Sequence, residues 1–321
     1  MTRKTRVAVV GVGEFGRNHV RVIQESPRAE LAAIVDTNAV RAAEMAEANA
    51  CAAFTDAREL AGKVDAAIVA VPTSAHADVG CALLEAGIDV LVEKPIAPDL
   101  ASADRLIQSA ESNSRILQVG HLERFNPAVM ALEKAARHPL FFEIHRLSVF
   151  SPRSLDVDVV LDVMIHDIDI LLSLVHTEIE EIRAAGISIL TSKVDIASVR
   201  LQFQGGCVAN LTASRVSTDR VRKLRLFQPH QYVSVDYGRQ DAAVFSVGAD
   251  RQISFQQLPV TKAEPLSLQF EAFLDSIETH QTPKLSGRAG RLTLVAALAI
   301  LAKIEEHSRV VAQSLVSGWK P

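Results

Sequence analysis

The segment Arg6-Val-Ala-Val-Val-Gly-Val-Gly-Glu-Phe-Gly16 joins a short apolar run to three glycines spaced as Gly-x-Gly-x-x-Gly. The apolar run predicts a buried strand, and a helix can follow the last glycine as far as Gln24. Glycines in this setting allow a tight turn and let backbone N–H groups approach a pyrophosphate at the helix N-terminus. Because strand and helix flank the motif, an ordinary strand-to-helix turn is the weaker interpretation. The predicted cofactor-binding residues of this segment are Gly11, Val12, Gly13, Glu14, Phe15 and Gly16.

A second apolar run, from Glu30 to Val35, ends at Asp36, twenty residues after Gly16. This is the expected position of a carboxylate that accepts hydrogen bonds from an adenosine ribose. The same carboxylate would repel the 2′-phosphate of NADP, and the neighbouring Thr37 supplies no cation, so the sequence predicts NAD. Arg41 keeps the alternative open, because it could reach that phosphate from the following helix.

Strand and helix patterns alternate as far as Val119, which predicts a doubly wound parallel sheet with right-handed crossovers. Ligands of such sheets bind at the carboxyl ends of the strands. The candidate segments there are 71–76, 93–95 and 120–127. Within them, Lys94 could polarise a hydroxyl or carbonyl oxygen, or could equally be a surface lysine before a turn proline.

From Leu140 onward the pattern changes to long alternating strands separated by turn signals, which indicates an antiparallel sheet. Two amphipathic helices, Ser267–Thr279 and Gly287–His307, are expected to close the chain. We therefore expect an α/β protein with two domains: residues 1–120 with the parallel sheet, and residues 121–321 with an open, mostly antiparallel sheet.

The stretch Val157–Asp169 is the candidate reaction site, because its apolar residues recur at helical spacing and its polar residues share one helix face. That face carries Asp158, Asp162, His166 and Asp169. An imidazole among carboxylates can take or give a proton near neutral pH. A solvated acidic face with a structural histidine is the alternative, and this helix alone favours that alternative. No second His or Cys cluster completes a ligand set, so no metal is expected.

The overall composition excludes several classes of partner. A net charge of -4 over 321 residues gives no electrostatic reason to bind nucleic acid or an anionic membrane. The most apolar helix candidate, Leu292–Leu301, is about half the ~20 residues of a membrane span. Cys51, Cys81 and Cys207 lack CxxC spacing, which favours thiols in a reducing cytoplasm. The expected partners are small molecules and copies of the chain itself, as a homodimer or homotetramer.

Four motifs occur in order along the chain: Gly11–Gly16, Val71–His76, Glu93-Lys94-Pro95, and Asp162-x-x-x-His166. With them, nearly the whole sequence resembles the Gfo/Idh/MocA family of nicotinamide-dependent sugar and polyol oxidoreductases. The resemblance implies a Rossmann domain that binds NAD, followed by an α/β domain whose sheet often forms the oligomer interface. It implies that Lys94, Asp162 and His166 are catalytic. It also implies that the cofactor is lined by Val71, Pro72, His76, Glu93 and Lys94, in addition to the glycine loop, Asp36 and Thr37.

The run Leu155–Val160 lacks the glycines found at this point in many members that act on free polyols, which argues against inositol or glucose. It looks most like the branch that oxidises the 3-hydroxyl of UDP-N-acetylglucosamine, giving a 3-keto sugar for amination in lipid A or related glycan synthesis. The substrate-binding residues implied are Lys94, His121, Arg124, Asn126, Arg153, Asp162 and His166. If the substrate is a nucleotide sugar, Arg215, Arg220 and Arg222 could also contact its diphosphate, although solvated strand ends explain any one of them. The alternatives are a dehydrogenase of another sugar or polyol, a non-catalytic NAD-loaded sensor, and an NAD-recycling glycosidase.

Overall fold

The computed structural model describes residues 3–150, 157–248 and 250–318. The chain divides into two compact units. The first contains the chain as far as Leu122 together with Glu264–Leu294, and the second contains Glu123–Ala263 and the chain from Val295. Short 3-10 turns occupy Ala57–Leu60, Thr73–Ala75 and Leu122–Phe125. Among the described helices, none is both long and apolar enough to cross a membrane.

A six-stranded parallel sheet forms the centre of the first unit, in the order β3-β2-β1-β4-β5-β6. Its strands are β1 (Thr5–Val10), β2 (Ala29–Val35), β3 (Ala52–Phe54), β4 (Ala66–Val69), β5 (Asp89–Glu93) and β6 (Leu117–Gly120). Its crossover helices are α1 (Glu14–Glu25), α2 (Ala39–Ala48), α3 (His76–Glu85) and α4 (Leu100–Ser112). The predicted doubly wound sheet is confirmed.

The central strands of this sheet are mostly apolar, as expected where helices cover both faces of a parallel sheet. Every residue of β4 is buried, as are residues Val7 to Val10 of β1. The strand order reverses between β1 and β4, and the crevice at such a reversal is where ligands of open α/β sheets bind.

Helix α7 (Pro265–Thr279) belongs to the first unit, although the sequence pattern assigned it to the second domain. Its apolar residues Leu266, Phe270 and Phe273 are buried in the same core as Val9 of β1 and Val20 of α1. An amphipathic helix packs wherever its apolar face is covered. The sequence of the helix itself does not specify which of the two cores covers that face.

An eight-stranded sheet forms the second unit, in the order β14-β13-β12-β11-β7-β10-β9-β8. Its strands are β7 (Phe141–Leu147), β8 (Ile179–Ile187), β9 (Ile196–Phe203), β10 (Val208–Ser214), β11 (Val221–Gln228), β12 (Gln231–Asp236), β13 (Asp241–Val247) and β14 (Ile253–Gln257). Only the β7–β10 pair among these is parallel. The expected open, mostly antiparallel sheet is confirmed.

The helices of this unit are α5 (Pro127–Ala135), α6 (Ile165–Val175) and the C-terminal part of α8 (Gly287–Gly318), and a π-helical turn (Val160–Met164) leads into α6. Burial alternates along β7: Phe142, Ile144 and Arg146 are buried, and the residues between them are half-buried. The apolar residues of α6 share a core with Phe142 and Ile144. Helix α6 therefore covers the face of the sheet that carries these residues.

Candidate active site

The glycine loop between β1 and α1 is built by close backbone approach. Gly11 has φ +88°, and a Cβ there would lie 2.7 Å from the carbonyl oxygen of Ala70. A Cβ at Gly16 would overlap the carbonyl oxygen of Gly11. A Cβ at Gly13, by contrast, would meet nothing within 4 Å, and Gly13 is the residue that precedes α1. The loop therefore leaves open space in front of the N-terminus of a twelve-residue helix.

A cavity of about 830 Å³ lies at the carboxyl ends of β1, β2 and β4. Its lining includes Gly11, Gly13, Asp36, Thr37, Arg41, Val71 and Pro72. Open space before a helix N-terminus suits a pyrophosphate, and a carboxylate at the end of β2 suits a ribose. The residues present thus fit the adenosine and pyrophosphate parts of NAD. Val12 is buried, whereas Phe15 is 47% exposed at the start of α1.

The carboxylate of Asp36 already has four donors. Its oxygens accept hydrogen bonds from the amides of Val12 (3.0 Å) and Asn38 (2.9 Å) and from Nε and Nη2 of Arg41 (2.9 and 2.8 Å). Burial works to raise the pKa of Asp36, but Arg41 and the two amides outweigh it and lower the pKa. A carboxylate has about four acceptor positions, and Arg41 occupies two of those of Asp36. Ribose hydroxyls can therefore bond this carboxylate only if the Arg41 side chain moves away.

We expect Asp36→Ser to shift cofactor preference towards NADP. The substitution removes the charge that repels a 2′-phosphate and frees the Arg41 guanidinium to bind it. The ratio of kcat/KM for NADP to that for NAD should rise roughly 10- to 100-fold, the scale of one or two hydrogen bonds to a charged group. Asp56→Ser is the matched control, because Asp56 lines the same cavity and pairs with Arg58. An unchanged ratio in Asp36→Ser would show that Asp36 does not select the cofactor.

The side chains of His76 and Glu93 contact other groups of the protein. The family resemblance had implied that they line the cofactor. The Nδ1 and Nε2 atoms of His76 lie 2.9 and 3.0 Å from the carbonyl oxygens of Pro95 and Val71, and burial lowers the pKa of this histidine. The buried Glu93 carboxylate lies 2.7 Å from Nε2 of His19 and accepts a hydrogen bond from the Lys94 amide (3.2 Å). Both side chains therefore brace the loops that follow β4 and β5.

Lys94 follows β5 directly, and the Lys94–Pro95 peptide bond is cis. Its side chain is half-buried. With the Lys94 amide bonded to Glu93 and the Pro95 carbonyl bonded to His76, the backbone on either side of this lysine is fixed by buried groups. The structure thus places Lys94 at the carboxyl edge of the parallel sheet.

The Asp/His stretch contains a structural feature that its spacing did not predict. The amide of Ile165 donates to the carbonyl of Val160, so a π-helical turn precedes α6. Asp162 lies in this turn and His166 in the first turn of α6, and both are half-buried. Their four-residue separation is close to one turn in either geometry, so they stay on one side of the helix. Single π turns are frequent at functional sites.

Two of the three carboxylates in the predicted stripe have partners outside it. Asp158 accepts a hydrogen bond from the amide of Val194 (3.0 Å), and the buried Asp169 pairs with Arg124 (3.4 Å). Asp162 and His166 remain as the candidate dyad.

The buried acid of α6 that the sequence reasoning missed is Asp167. Arg146 of β7 donates to both Asp167 oxygens at 2.8 Å and to Glu123 at 2.8 Å. Burial works to raise the pKa of Glu123, and Arg146 reverses the effect, so that pKa is lowered. Burial raises the pKa of Asp167 in spite of Arg146. This cluster ties the residue next to His166 to the sheet.

Several of the expected substrate-binding residues have other contacts. Asn126 is buried, caps α5 through the Ala128 amide (3.1 Å) and donates to Tyr237 and Glu123, so its side chain is not available to a substrate. Arg124 donates to Glu133 (3.0 Å) and pairs with Asp169. His121 is also buried, after β6. Arg153 lies outside the described residues. Within the described ranges, no group of three or more His, Cys, Asp or Glu residues could hold a metal ion.

Comparison with known proteins agrees with this architecture. Residues 5–121 match an oxidoreductase family with an NAD-binding Rossmann fold, and residues 141–229 match the GFO/IDH/MocA C-terminal domain. A UDP-N-acetylglucosamine 3-dehydrogenase of Acidithiobacillus ferrooxidans is 37% identical, over 94% of this chain and 97% of its own. A crystal form of that enzyme superposes with a TM-score of 0.89 at 36% identity, over 95% of this chain and 99% of its own.

A myo-inositol 2-dehydrogenase of Thermotoga maritima is 26% identical, over 97% of this chain and 99% of its own. A levoglucosan dehydrogenase solved with NADH and levoglucosan has a TM-score of 0.85 at 18% identity, covering 95% of this chain and 98% of its own, and shares the fold. The two family matches and the 37% identity over nearly the full length extend the resemblance from motifs to the whole sequence. The chain belongs to the Gfo/Idh/MocA family of NAD-binding oxidoreductases.

Proposed function

We propose that the protein oxidises the 3-hydroxyl of UDP-N-acetylglucosamine with NAD and releases the 3-keto sugar. The observation that carries this proposal is the 37% identity, over nearly the full length of both chains, to an enzyme of that name. The myo-inositol dehydrogenase is similar over the same length but only 26% identical. The 3-keto product suits later amination, as in lipid A or related glycan synthesis.

Each catalytic residue has a distinct task in this reaction. His166 accepts the proton of the sugar hydroxyl as general base. Asp162, one turn earlier, orients the imidazole and stabilises its charged form. Lys94 donates a hydrogen bond to the same oxygen and stabilises the negative charge that develops there.

NAD, when bound, supplies the acceptor for the hydride that leaves the carbinol carbon. The glycine loop from Gly11 to Gly16 would hold its pyrophosphate, and Asp36 and Thr37 its adenosine ribose. Val71 and Pro72 line the same cavity. The protein thus contributes position and electrostatics to a hydride transfer that belongs to the cofactor.

The proposal is tested with purified protein, NAD and separate UDP-sugars, free hexoses and inositols, followed by NADH absorbance. We expect NADH to accumulate with UDP-N-acetylglucosamine and not with inositol. Accumulation with inositol alone would instead make the protein a polyol dehydrogenase. No NADH with any compound would favour a non-catalytic NAD-loaded sensor, and turnover of a glycoside without net NADH would favour an NAD-recycling glycosidase.

We further propose that a second copy of the chain covers the sheet face opposite α6. Five aromatic residues pair directly across adjacent strands there: Phe141, Phe227, Tyr232, Phe245 and Phe255. The row crosses four strand spacings, about 20 Å, and Phe255 is 61% exposed. A partly exposed apolar row of this length favours a protein interface. Light scattering should give the mass of a dimer or tetramer, and a monomer at micromolar concentration would contradict this.

We also place the protein in the reducing cytoplasm. Cys51, Cys81 and Cys207 are free thiols, and burial raises the pKa of each, that of Cys207 to about 11. A thiol with a raised pKa is a poor nucleophile and acts as a small apolar side chain. Secretion with intact activity and a disulfide between these cysteines would contradict the assignment.

A further inference from the structure

The second unit contains a half-buried arginine, Arg222, whose Nε has no acceptor among the described residues. The three other arginines on or near the α6 side of the sheet all have close oxygen partners. Arg146 bonds Asp167 and Glu123, Arg215 bonds Asp195, Thr191 and the carbonyl of Val157, and Arg124 bonds Glu133. Arg222 is different: among the described residues, no acceptor lies within hydrogen-bonding distance of its buried Nε. Its nearest acidic partner is Glu123, 3.6 Å from Nη1.

That contact with Glu123 is weak for a second reason. The same Glu123 oxygen already accepts a 2.8 Å hydrogen bond from Arg146. Arg146 lies directly opposite Arg222 on the neighbouring strand. Burial lowers the pKa of Arg222, and Arg146 and Arg220 lower it further, while Glu123 opposes them. An arginine nevertheless stays protonated at neutral pH. Its charge is therefore held beside two other cations and is only partly compensated.

The guanidinium is reachable from solvent, since the side chain of Arg222 is 39% exposed even though Nε is buried. The preceding loop adds Arg220, which is exposed. A partly desolvated fork of N–H donors, with a second cation beside it, matches the oxygens of a phosphate group, which it can bind in bidentate geometry.

The position of Arg222 relates it to the proposed general base. It lies on the face of the sheet that α6 covers, since its strand partner Arg146 points inward and bonds Asp167. Asp167 is the residue after His166. An oxyanion bound at Arg222 would thus be held on the strand next to β7, whose Arg146 bonds the residue after His166.

We propose that Arg222, assisted by Arg220, binds the diphosphate of the nucleotide-sugar substrate. This inference rests on the proposed function and deepens it, because it names the residues that distinguish a nucleotide sugar from a free sugar or inositol. Of the five arginines with the sequence position to do so, Arg124 and Arg215 are engaged elsewhere, and Arg153 lies outside the described residues.

The test compares Arg222→Gln and Arg222→Lys with Arg225→Gln. Arg225 is the matched control, because it lies on the same strand, points to the opposite face and pairs with the exposed Glu143. UDP affinity is measured by calorimetry on the NADH-loaded protein, together with KM for UDP-N-acetylglucosamine and the affinity for NADH. Arg222→Gln should weaken UDP binding and raise KM by roughly 10- to 100-fold. Arg222→Lys should have a smaller effect, and Arg225→Gln should stay within about twofold of the unaltered protein.

Three outcomes would overturn the proposal: no binding of UDP to the unaltered protein, UDP affinity unchanged in Arg222→Gln, or NADH affinity weakened as much as UDP affinity. Failure of the proposed function is distinguishable from these. The unaltered protein could bind UDP yet oxidise no UDP-sugar, while Arg222→Gln binds UDP more weakly. The diphosphate site would then stand and the proposed reaction would not.

Discussion

Replacing His166 by alanine is expected to lower kcat roughly 100-fold or more, the usual contribution of a positioned general base. Without the imidazole, the sugar hydroxyl must lose its proton to water as the hydride departs. The affinity for NAD should stay within about twofold, because the cofactor cavity is formed by the glycine loop and by residues at the ends of β2 and β4. The measurement is steady-state NADH formation with saturating UDP-N-acetylglucosamine, with NAD affinity measured separately.

A second histidine provides the control for this substitution. His145 lies on β7, points to the opposite face from Arg146 and is half-buried, so His145→Ala removes an imidazole from the same unit without touching the dyad. We expect its kcat to stay close to that of the unaltered protein. The kcat of Asp162→Asn should lie between the kcat values of these two variants. The substitution removes the charge that stabilises the imidazolium but keeps the shape of the side chain. Equal kcat in His166→Ala and the unaltered protein would remove His166 from the reaction.

Arg146→Met is expected to destabilise the protein by about 3 to 5 kcal/mol at pH 7. The side chain of Arg146 is only 4% exposed, and its removal takes away the guanidinium that pairs with the buried carboxylates of Glu123 and Asp167. Glu123 then keeps the donor of Asn126, and its charge is no longer compensated by Arg146. The matched substitution Arg225→Met breaks an exposed pair with Glu143 on the same sheet and should cost within about 1 kcal/mol. Urea unfolding followed by circular dichroism measures both.

The stability of Arg146→Met should depend on pH in a defined direction. In the unaltered protein the pKa of Glu123 is lowered, so its contribution to stability is present above its ordinary pKa and is lost as pH falls. Without Arg146, burial is opposed only in part, by Arg222 at both acids and by Asn126 at Glu123, so the pKa values of both acids rise. Asp167, whose pKa is raised by burial even beside Arg146, then binds its proton more tightly than in the unfolded chain, so the unfolding free energy of the variant falls less than that of the unaltered protein as pH falls from 7 towards about 4. The difference in unfolding free energy between the unaltered protein and Arg146→Met should therefore narrow in acid, and a difference that widens would contradict this explanation.

The fold was predictable because its signals are local. A Gly-x-Gly-x-x-Gly run between a strand and a helix, and an acid at the end of the next strand, are readable within some thirty residues. The change from alternating strands and helices to long alternating strands likewise marks the second sheet. Helix α7 was assigned to the wrong unit because its partners in the first core are more than two hundred residues away in sequence.

The site was only partly predictable. The spacing of Asp162 and His166 predicts that they share one side of a helix, but the π turn that contains Asp162 has no signature in the residues themselves. The contacts that remove Asn126 and Arg215 from the set of free side chains come from distant partners, Tyr237 and Asp195. Which arginines are fully engaged therefore depends on long-range packing. The structure distinguishes Arg222 by its Nε, which has no acceptor among the residues described.

The central claim is that a hydride leaves carbon 3 of the sugar for NAD. The most direct measurement uses UDP-N-acetylglucosamine carrying deuterium at carbon 3, with a second sample labelled at carbon 4, and mass spectrometry of the NADH formed. We expect deuterated NADH from the first sample and unlabelled NADH from the second. Unlabelled NADH from the carbon 3 substrate, or deuterated NADH from the carbon 4 substrate, would contradict it.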